Sequence, residues 1–200
     1  MTALSTPTLI ERIWPAGNDY KAALRFTALA LGASVLLALS AKVKLDIGPV
    51  PVTLQTFVVL AMAMLYGARL AGATILAYLA QGAAGLPVFA GTPEKGIGLA
   101  YMMGPTGGYL LGFLLAAVAV GKLAEWGWDR NIILTALAMT IGTGLIFIPG
   151  VLWLGTVIGW DKPVLALGLY PFLAGGAIKI AMAVAIFPTF WAVMKKFGRS

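Results

Sequence analysis

The 200-residue sequence contains no cysteine and no histidine, and only seven acidic residues against fourteen lysines and arginines. Without cysteine there is no disulfide framework and no thiolate nucleophile. Without histidine as well, the usual transition-metal ligands and the commonest general base at neutral pH are missing. The acids Glu11, Asp19, Asp46, Glu94, Glu125, Asp129 and Asp161 are dispersed, and only Glu125 and Asp129 fall within one helical turn of each other. A membrane enzyme acting on lipid head groups would need acids or histidines clustered at a span end, so that class is disfavoured. No catalytic residue, resident metal or cofactor is expected. The net charge of +7 does not indicate nucleic acid, because the basic residues lie between apolar runs or at the chain ends, with no stripe interleaved with surface aromatics.

What is abundant is apolar. Hydrophobic residues make up 60%, charged ones only 10%, and the mean hydropathy is +0.95, well above the apolar share of a water-soluble domain. Such a composition needs lipid as solvent. Charge-free stretches run over 26–41, 47–68, 70–93, 96–121, 131–160 and 163–178, the last continuing past Lys179 to Met194. In hydrocarbon each must be helical, since unpaired backbone groups find no partner there. An all-α integral membrane protein of six transmembrane helices is expected, at about 22–41, 53–66, 70–85, 106–124, 132–158 and 171–194. The membrane domain is then 22–194, between cytoplasmic tails of 1–21 and 195–200. Glu11, Arg12, Asn18 and Asp19 make the first tail too polar for a secretory signal. Its Leu9, Ile10, Ile13 and Trp14 fit either a short segment on the membrane surface or a disordered tail.

Orientation follows from where lysine and arginine gather. Arg12, Lys21, Arg25, Arg69, Lys122, Arg130, Lys195, Lys196 and Arg199 share one side, whereas Lys42, Lys44, Lys95 and Lys162 share the other. Both termini are therefore expected in the cytoplasm, with the chain multi-pass in the cell membrane. The Gly/Pro-rich crossings 42–52 and 85–105 then face outward. Trp126, Trp128, Trp160 and Trp191 fall near span ends, where amphipathic rings favour the interface.

Within the spans, Lys179 stands out. A lysine near the middle of a span costs about 2.5 to 3.5 kcal/mol unless something compensates it, and no acid lies one turn away. It either snorkels to the outer interface or contacts an acceptor or anionic group of a ligand. The run Gly85-Leu-Pro-Val-Phe-Ala-Gly91, followed by Gly104-Pro-Thr-Gly-Gly-Tyr109, combines exposed backbone amides with flat apolar surface. That suits either a small-molecule pocket or a set of turns. In the fifth helix Pro149 predicts a kink beside Trp153, which either packs there or stacks on a substrate ring. The first helix has small residues four apart, Ala28 with Gly32, then Ala30, Ser34 and Ala38. Such a face admits close approach of another helix, from this chain or from another subunit.

Taken together, Gly48-Pro-Val-Pro-Val-Thr-Leu-Gln-Thr56, the two glycine-rich runs above and Gly150-Val-Leu-Trp-Leu154 resemble the BioY family, over about residues 24–194. That family comprises the biotin-binding components of energy-coupling factor transporters. The resemblance implies six helices around an outward-facing vitamin pocket, capped by Pro51, Thr53 and Gln55. Val88, Phe89, Ala90 and Gly91 would line it, and Thr106 and Tyr109 would complete another wall. The family pattern Gly-Asp-x-x-Lys falls on residues 175–179 and makes Lys179 a polar contact to biotin. Here the chain departs, with Gly176 where aspartate is expected, so Gln81 or main-chain amides would have to serve the ureido ring. The same departure motivates an alternative, another small vitamin on this scaffold. The implied partners are a transmembrane coupling protein and two ATPase subunits, with the small-residue face of the first helix as docking surface; transport without ATPases stays open. This chain has no phosphate-binding loop of its own.

Overall fold

The computed structural model describes residues 6–15 and 17–196. A short helix α1 (Leu9–Ile13) opens the described chain, with the backbone amide of Thr8 donating to Glu11 Oε2 at 2.9 Å. It buries Leu9 and Ile10 and exposes Ile13 and Trp14. Residues 1–5, 16 and 197–200 lie outside the described part, so the two expected tails are covered only in part. Lys195 and Lys196 belong to the last helix.

Helix α2 (Asp19–Lys42) starts where the Asn18 side chain accepts from the Lys21 amide. It is followed by a two-stranded antiparallel ribbon, β1 (Lys44–Leu45) and β2 (Val52–Thr53), pairing Lys44 with Thr53 and Leu45 with Val52. Helices α3 (Gln55–Tyr66) and α4 (Ala68–Ala83) are separated only by Gly67 at φ +78°, a conformation open mainly to glycine. The glycine-rich crossing contains a single turn, α5 (Leu99–Met102), before α6 (Gly107–Glu125). A 3₁₀ turn over Trp128–Arg130 leads to α7 (Ile132–Ile158), capped by Asn131. The chain ends with α8 (Val164–Gly168) and α9 (Tyr170–Lys196).

The six expected helices correspond to α2, α3, α4, α6, α7 and α9, with α7 running over the expected 132–158 and continuing through Pro149. The β-ribbon, α5 and α8 were not legible from the sequence. Among the described residues four stretches are long and apolar enough to cross a membrane: α2, α6, α7 and Val164–Lys196. Helices α3 and α4, at 12 and 16 residues, reach only about 18 and 24 Å against a hydrocarbon thickness of about 30 Å.

Helix α6 sits at the centre, against α3, α4 and α7. Its glycines allow this: a Cβ on Gly112 would stand 2.7 Å from Ile146 Cα of α7, and one on Gly121 would stand 2.5 Å from the backbone at residues 67–68. Large apolar side chains cover the outside as well, among them Leu31, Val35, Leu39, Ile132, Ile133 and Ile148. So many exposed large apolar side chains suit lipid rather than water.

Candidate ligand-binding site

The crossings 42–52 and 85–105 meet over one end of the helices and are fastened together. Lys42, at the end of α2, donates through Nζ to the carbonyls of Phe89 (2.9 Å) and Thr92 (3.0 Å). Lys95 donates to the Gly48 carbonyl at 3.3 Å and lies 3.7 Å from Asp46, which is also paired with Lys44 at 3.0 Å. The hydrogen bond from Lys44 holds the Asp46 carboxyl below its usual range. Within the second crossing, the Gly91 amide donates to the Tyr101 hydroxyl at 3.2 Å. Burial pushes the Tyr101 phenol above its ordinary range, which keeps it uncharged.

Beneath this roof lies a cavity lined by Val50, Pro51, Thr53, Gln55 and Thr56 of the first crossing and the start of α3, Phe89, Ala90 and Tyr101 of the second, Thr106, Tyr109, Leu110 and Phe113 of α6, and Phe147 and Phe172. Seven residues singled out from the sequence thus come together: Pro51, Thr53, Gln55, Phe89, Ala90, Thr106 and Tyr109. Two aromatic groups form the walls. Phe89 stacks on Tyr101 with centroids 5.0 Å apart and meets Tyr78 edge-on at 5.4 Å, while Tyr109, Phe147 and Phe172 pack together at 5.1 to 6.3 Å. The Gln55 amide donates to Tyr78 Oη at 2.6 Å, and Tyr78 donates to the Val88 carbonyl at 3.0 Å, so Val88 contributes backbone to the shell. Tyr109 commits its hydroxyl to the Gly168 carbonyl at 2.7 Å and offers the site its ring.

An adjoining cavity shares Thr56, Phe147 and Phe172 and is bounded by Gly176 and Lys179. The half-buried Lys179 does not reach outward. Its ammonium donates to the Thr53 carbonyl and to Thr56 Oγ1, each at 2.6 Å. An ammonium carries three donors, so one remains for a ligand. A Cβ on Gly176 would meet nothing within 4 Å, so the missing aspartate is replaced by open space and not by another side chain. The two cavities measure about 40 and 20 Å³, room for a water each and far below the roughly 300 Å³ of a small-molecule pocket. A ligand must therefore part the roof or the aromatic walls.

Two expected residues stand apart. Gln81 donates to Ser34 Oγ at 2.9 Å between α4 and α2, and Trp153 donates from Nε1 to the Gly104 carbonyl at 2.9 Å, fastening the loop before α6 to α7. The small-residue face of α2 divides. Ala30 and Ser34 are buried within the chain, Ala38 is half-buried, and Ala28 and Gly32 remain exposed. Sequence reasoning missed Lys42, Thr56, Tyr78, Tyr101, Phe113, Phe147 and Phe172. The aromatics carried no local signal that separates a pocket wall from a lipid-facing ring, while Lys42 at a helix end looked like an ordinary topology determinant.

Long apolar helices with apolar exteriors, closing at one end over a small cavity with a polar floor, define a helical membrane protein with a candidate small-molecule site near one surface. The chain belongs to the BioY family, whose sequence profile matches residues 16–196. It is 40% identical over 166 residues to the biotin transporter BioY2 of Lactococcus lactis, covering 80% of this chain and 86% of that one. To the biotin transporter BioY of Thermotoga maritima it is 36% identical over 154 residues, covering 76% and 88%. The crystal structure of the S-component for biotin from an ECF-type ABC transporter has the same fold, with a TM-score of 0.71 at 22% identity, over 88% of this chain and 94% of that one.

Proposed function

We propose that this chain captures biotin from outside the cell and delivers it inward, as the substrate-binding component of a vitamin uptake transporter and not as an enzyme. The observation that carries this reading is the juxtaposition of Gln55, in an aromatic cavity beneath the two crossings, with Lys179 in the cavity that adjoins it. Biotin presents an apolar bicycle and chain, a ureido group with donors and acceptors, and a carboxylate. The Phe89, Tyr101 and Tyr109 rings suit the bicycle, the Gln55 amide and Thr53 suit the ureido edge, and the remaining Lys179 donor suits either polar end.

In this reading α2, α3, α4, α6, α7 and α9 are six membrane crossings, with α3 and α4 meeting at Gly67 and reaching the other interface through the ribbon before α3 and the crossing after α4. Both termini lie in the cytoplasm of a cell whose plasma membrane holds the protein, and the candidate site faces outward. Energy comes from a transmembrane coupling protein and two ATPase subunits, and the exposed Ala28 and Gly32 are the part of the α2 face left for docking. Equilibrium binding of biotin to the purified chain, with thiamine and riboflavin as competitors, tests the assignment. Saturable binding preferring biotin supports it. No biotin binding, or a preference for another vitamin on the same scaffold, rejects it.

A further inference from the structure

A large apolar groove lies away from the candidate vitamin site. It runs between α2, α3 and α9, encloses about 560 Å³ and is lined by residues such as Gly32, Leu36, Phe57, Leu65 and Phe187, with Tyr66 at one end. Tyr66 is also part of a second cavity of about 500 Å³, which contains Thr8, Arg25 and Arg69 beside α1. One recess is greasy and the other basic, and they meet at a single residue.

The recess is lined by two arginines and two glutamates, and Lys122, paired with Glu125, tips the balance to one positive charge. Its two carboxylates are already engaged: Glu11 accepts the Thr8 amide at 2.9 Å, and Glu125 accepts the Ala68 amide and the Lys122 ammonium, each at 2.9 Å. Among the described residues neither Arg25 nor Arg69 has a carboxylate partner. Arg25 donates from Nη2 to the Ile10 carbonyl at 3.0 Å, but its buried Nε has no acceptor among the described residues. Thr8 Oγ1, on a residue only 3% exposed, faces the Glu11 amide in the capping box of α1 and makes no full hydrogen bond among the described residues. Leaving such donors unsatisfied is costly, and a guanidinium fork matches the paired oxygens of a phosphate.

We propose that this recess binds the phosphate of an anionic phospholipid, with one acyl chain lying in the adjoining groove over Gly32 as long as no partner is docked there. From Tyr66 to Phe57 the groove descends about 14 Å along α3, close to half of the roughly 30 Å hydrocarbon core. That is the depth of one leaflet. The proposal rests on the membrane placement and sidedness given above, which put the recess at the cytoplasmic leaflet, where basic pockets between helices recognise anionic head groups. It does not depend on which vitamin the outer site holds.

The test is native mass spectrometry of the purified full-length chain in detergent, with dioleoyl phosphatidylglycerol, dioleoyl phosphatidylcholine or inorganic phosphate added. Phosphatidylglycerol adducts should persist where phosphatidylcholine adducts dissociate. Arg69→Gln, at an exposed position, should weaken the adduct about fivefold, and adding Arg25→Gln should weaken it about fivefold more. Gly32→Leu places a side chain in the groove, where a Cβ meets nothing within 4 Å, and should displace the acyl chain while both arginines remain. Gel filtration and circular dichroism of each variant report folding independently. Equal retention of both lipids, undiminished phosphatidylglycerol binding in the arginine variants or in Gly32→Leu, or displacement of the lipid by inorganic phosphate at equal concentration would each overturn the proposal.

Discussion

The ammonium of Lys179 lies 2.6 Å from the carbonyl oxygen of Thr53, joining the last helix to the start of α3 across most of the chain's length. The nearby Thr56 hydroxyl accepts a second hydrogen bond. A positive charge that lacks an acid one turn away is thus solvated by two neutral oxygens, which lowers its cost inside the membrane without neutralising it. Because the acceptors come from the residues that floor the cavity, the charge is delivered to the site by the fold itself.

Replacing Lys179 with alanine should therefore weaken biotin binding by about 1.5 to 3 kcal/mol, the range for a hydrogen bond to a charged group. Isothermal titration of the purified variant measures this. Affinity within twofold of wild type would show that the third donor does not reach the ligand.

At Gly176 a Cβ meets no neighbour within 4 Å, so a side chain can start there without moving the backbone. It would lie one helical turn from Lys179, on the same cavity. Gly176→Asp should fold normally and tighten biotin binding by about 1 kcal/mol, through an added acceptor for a ureido N–H. A weaker affinity would show that the new carboxylate pairs with Lys179 and removes its donor from the ligand.

Much of the helical layout was legible because its signals are local. Asn131 caps α7 through bonds to the amides of Ile133 and Leu134, and Gly159 at φ +93° ends it, which is why its two boundaries could be read from the sequence. The partners of Lys179 were not legible, since Thr53 and Thr56 are over a hundred residues away. Gln81 and Gln55 illustrate the same limit. Both are amides in apolar helices, but only the rotation of α4 against α2 places Gln81 on Ser34 and leaves Gln55 at the cavity. The rotation of α2 likewise decides that Ala30 and Ser34 turn inward while Ala28 and Gly32 do not. The β-ribbon escaped notice because Pro49 and Pro51 between its strands read as loop alone.

Lys42 is the clamp of the roof, with three contacts to Phe89 and Thr92. Because it is exposed, each contact is partly replaced by water on loss, and Lys42→Met should cost only about 1 kcal/mol of local stability. Hydrogen exchange should accelerate over residues 85–105 with little change in the helices, and biotin should dissociate several-fold faster. Unchanged exchange in that segment would mean that Lys95 and Asp46 hold the crossings together on their own.

Asp129, between α6 and α7, is fully buried and accepts the indole N–H of Trp191 at 2.5 Å, while its other oxygen has no hydrogen-bond partner among the described residues. Arg130 stacks on the same indole, 4.1 Å from its centroid, and lies 4.0 Å from the carboxylate. Burial raises the Asp129 pKa, and the Trp191 hydrogen bond and the Arg130 charge only partly oppose it. A carboxyl with a raised folded-state pKa binds its proton more tightly folded than unfolded, so its contribution to stability is greatest at low pH and is lost as pH rises through the folded value. The difference in apparent melting temperature between wild type and Asp129→Asn should therefore move in favour of the variant from the ordinary carboxylate range up to neutrality, since asparagine keeps an acceptor for Trp191 and carries no charge. Asp129→Ala removes that acceptor as well and should destabilise by about 1 to 3 kcal/mol. If wild type and Asp129→Asn instead keep a constant difference across this window, Asp129 remains ionised throughout and Arg130, not protonation, compensates its burial.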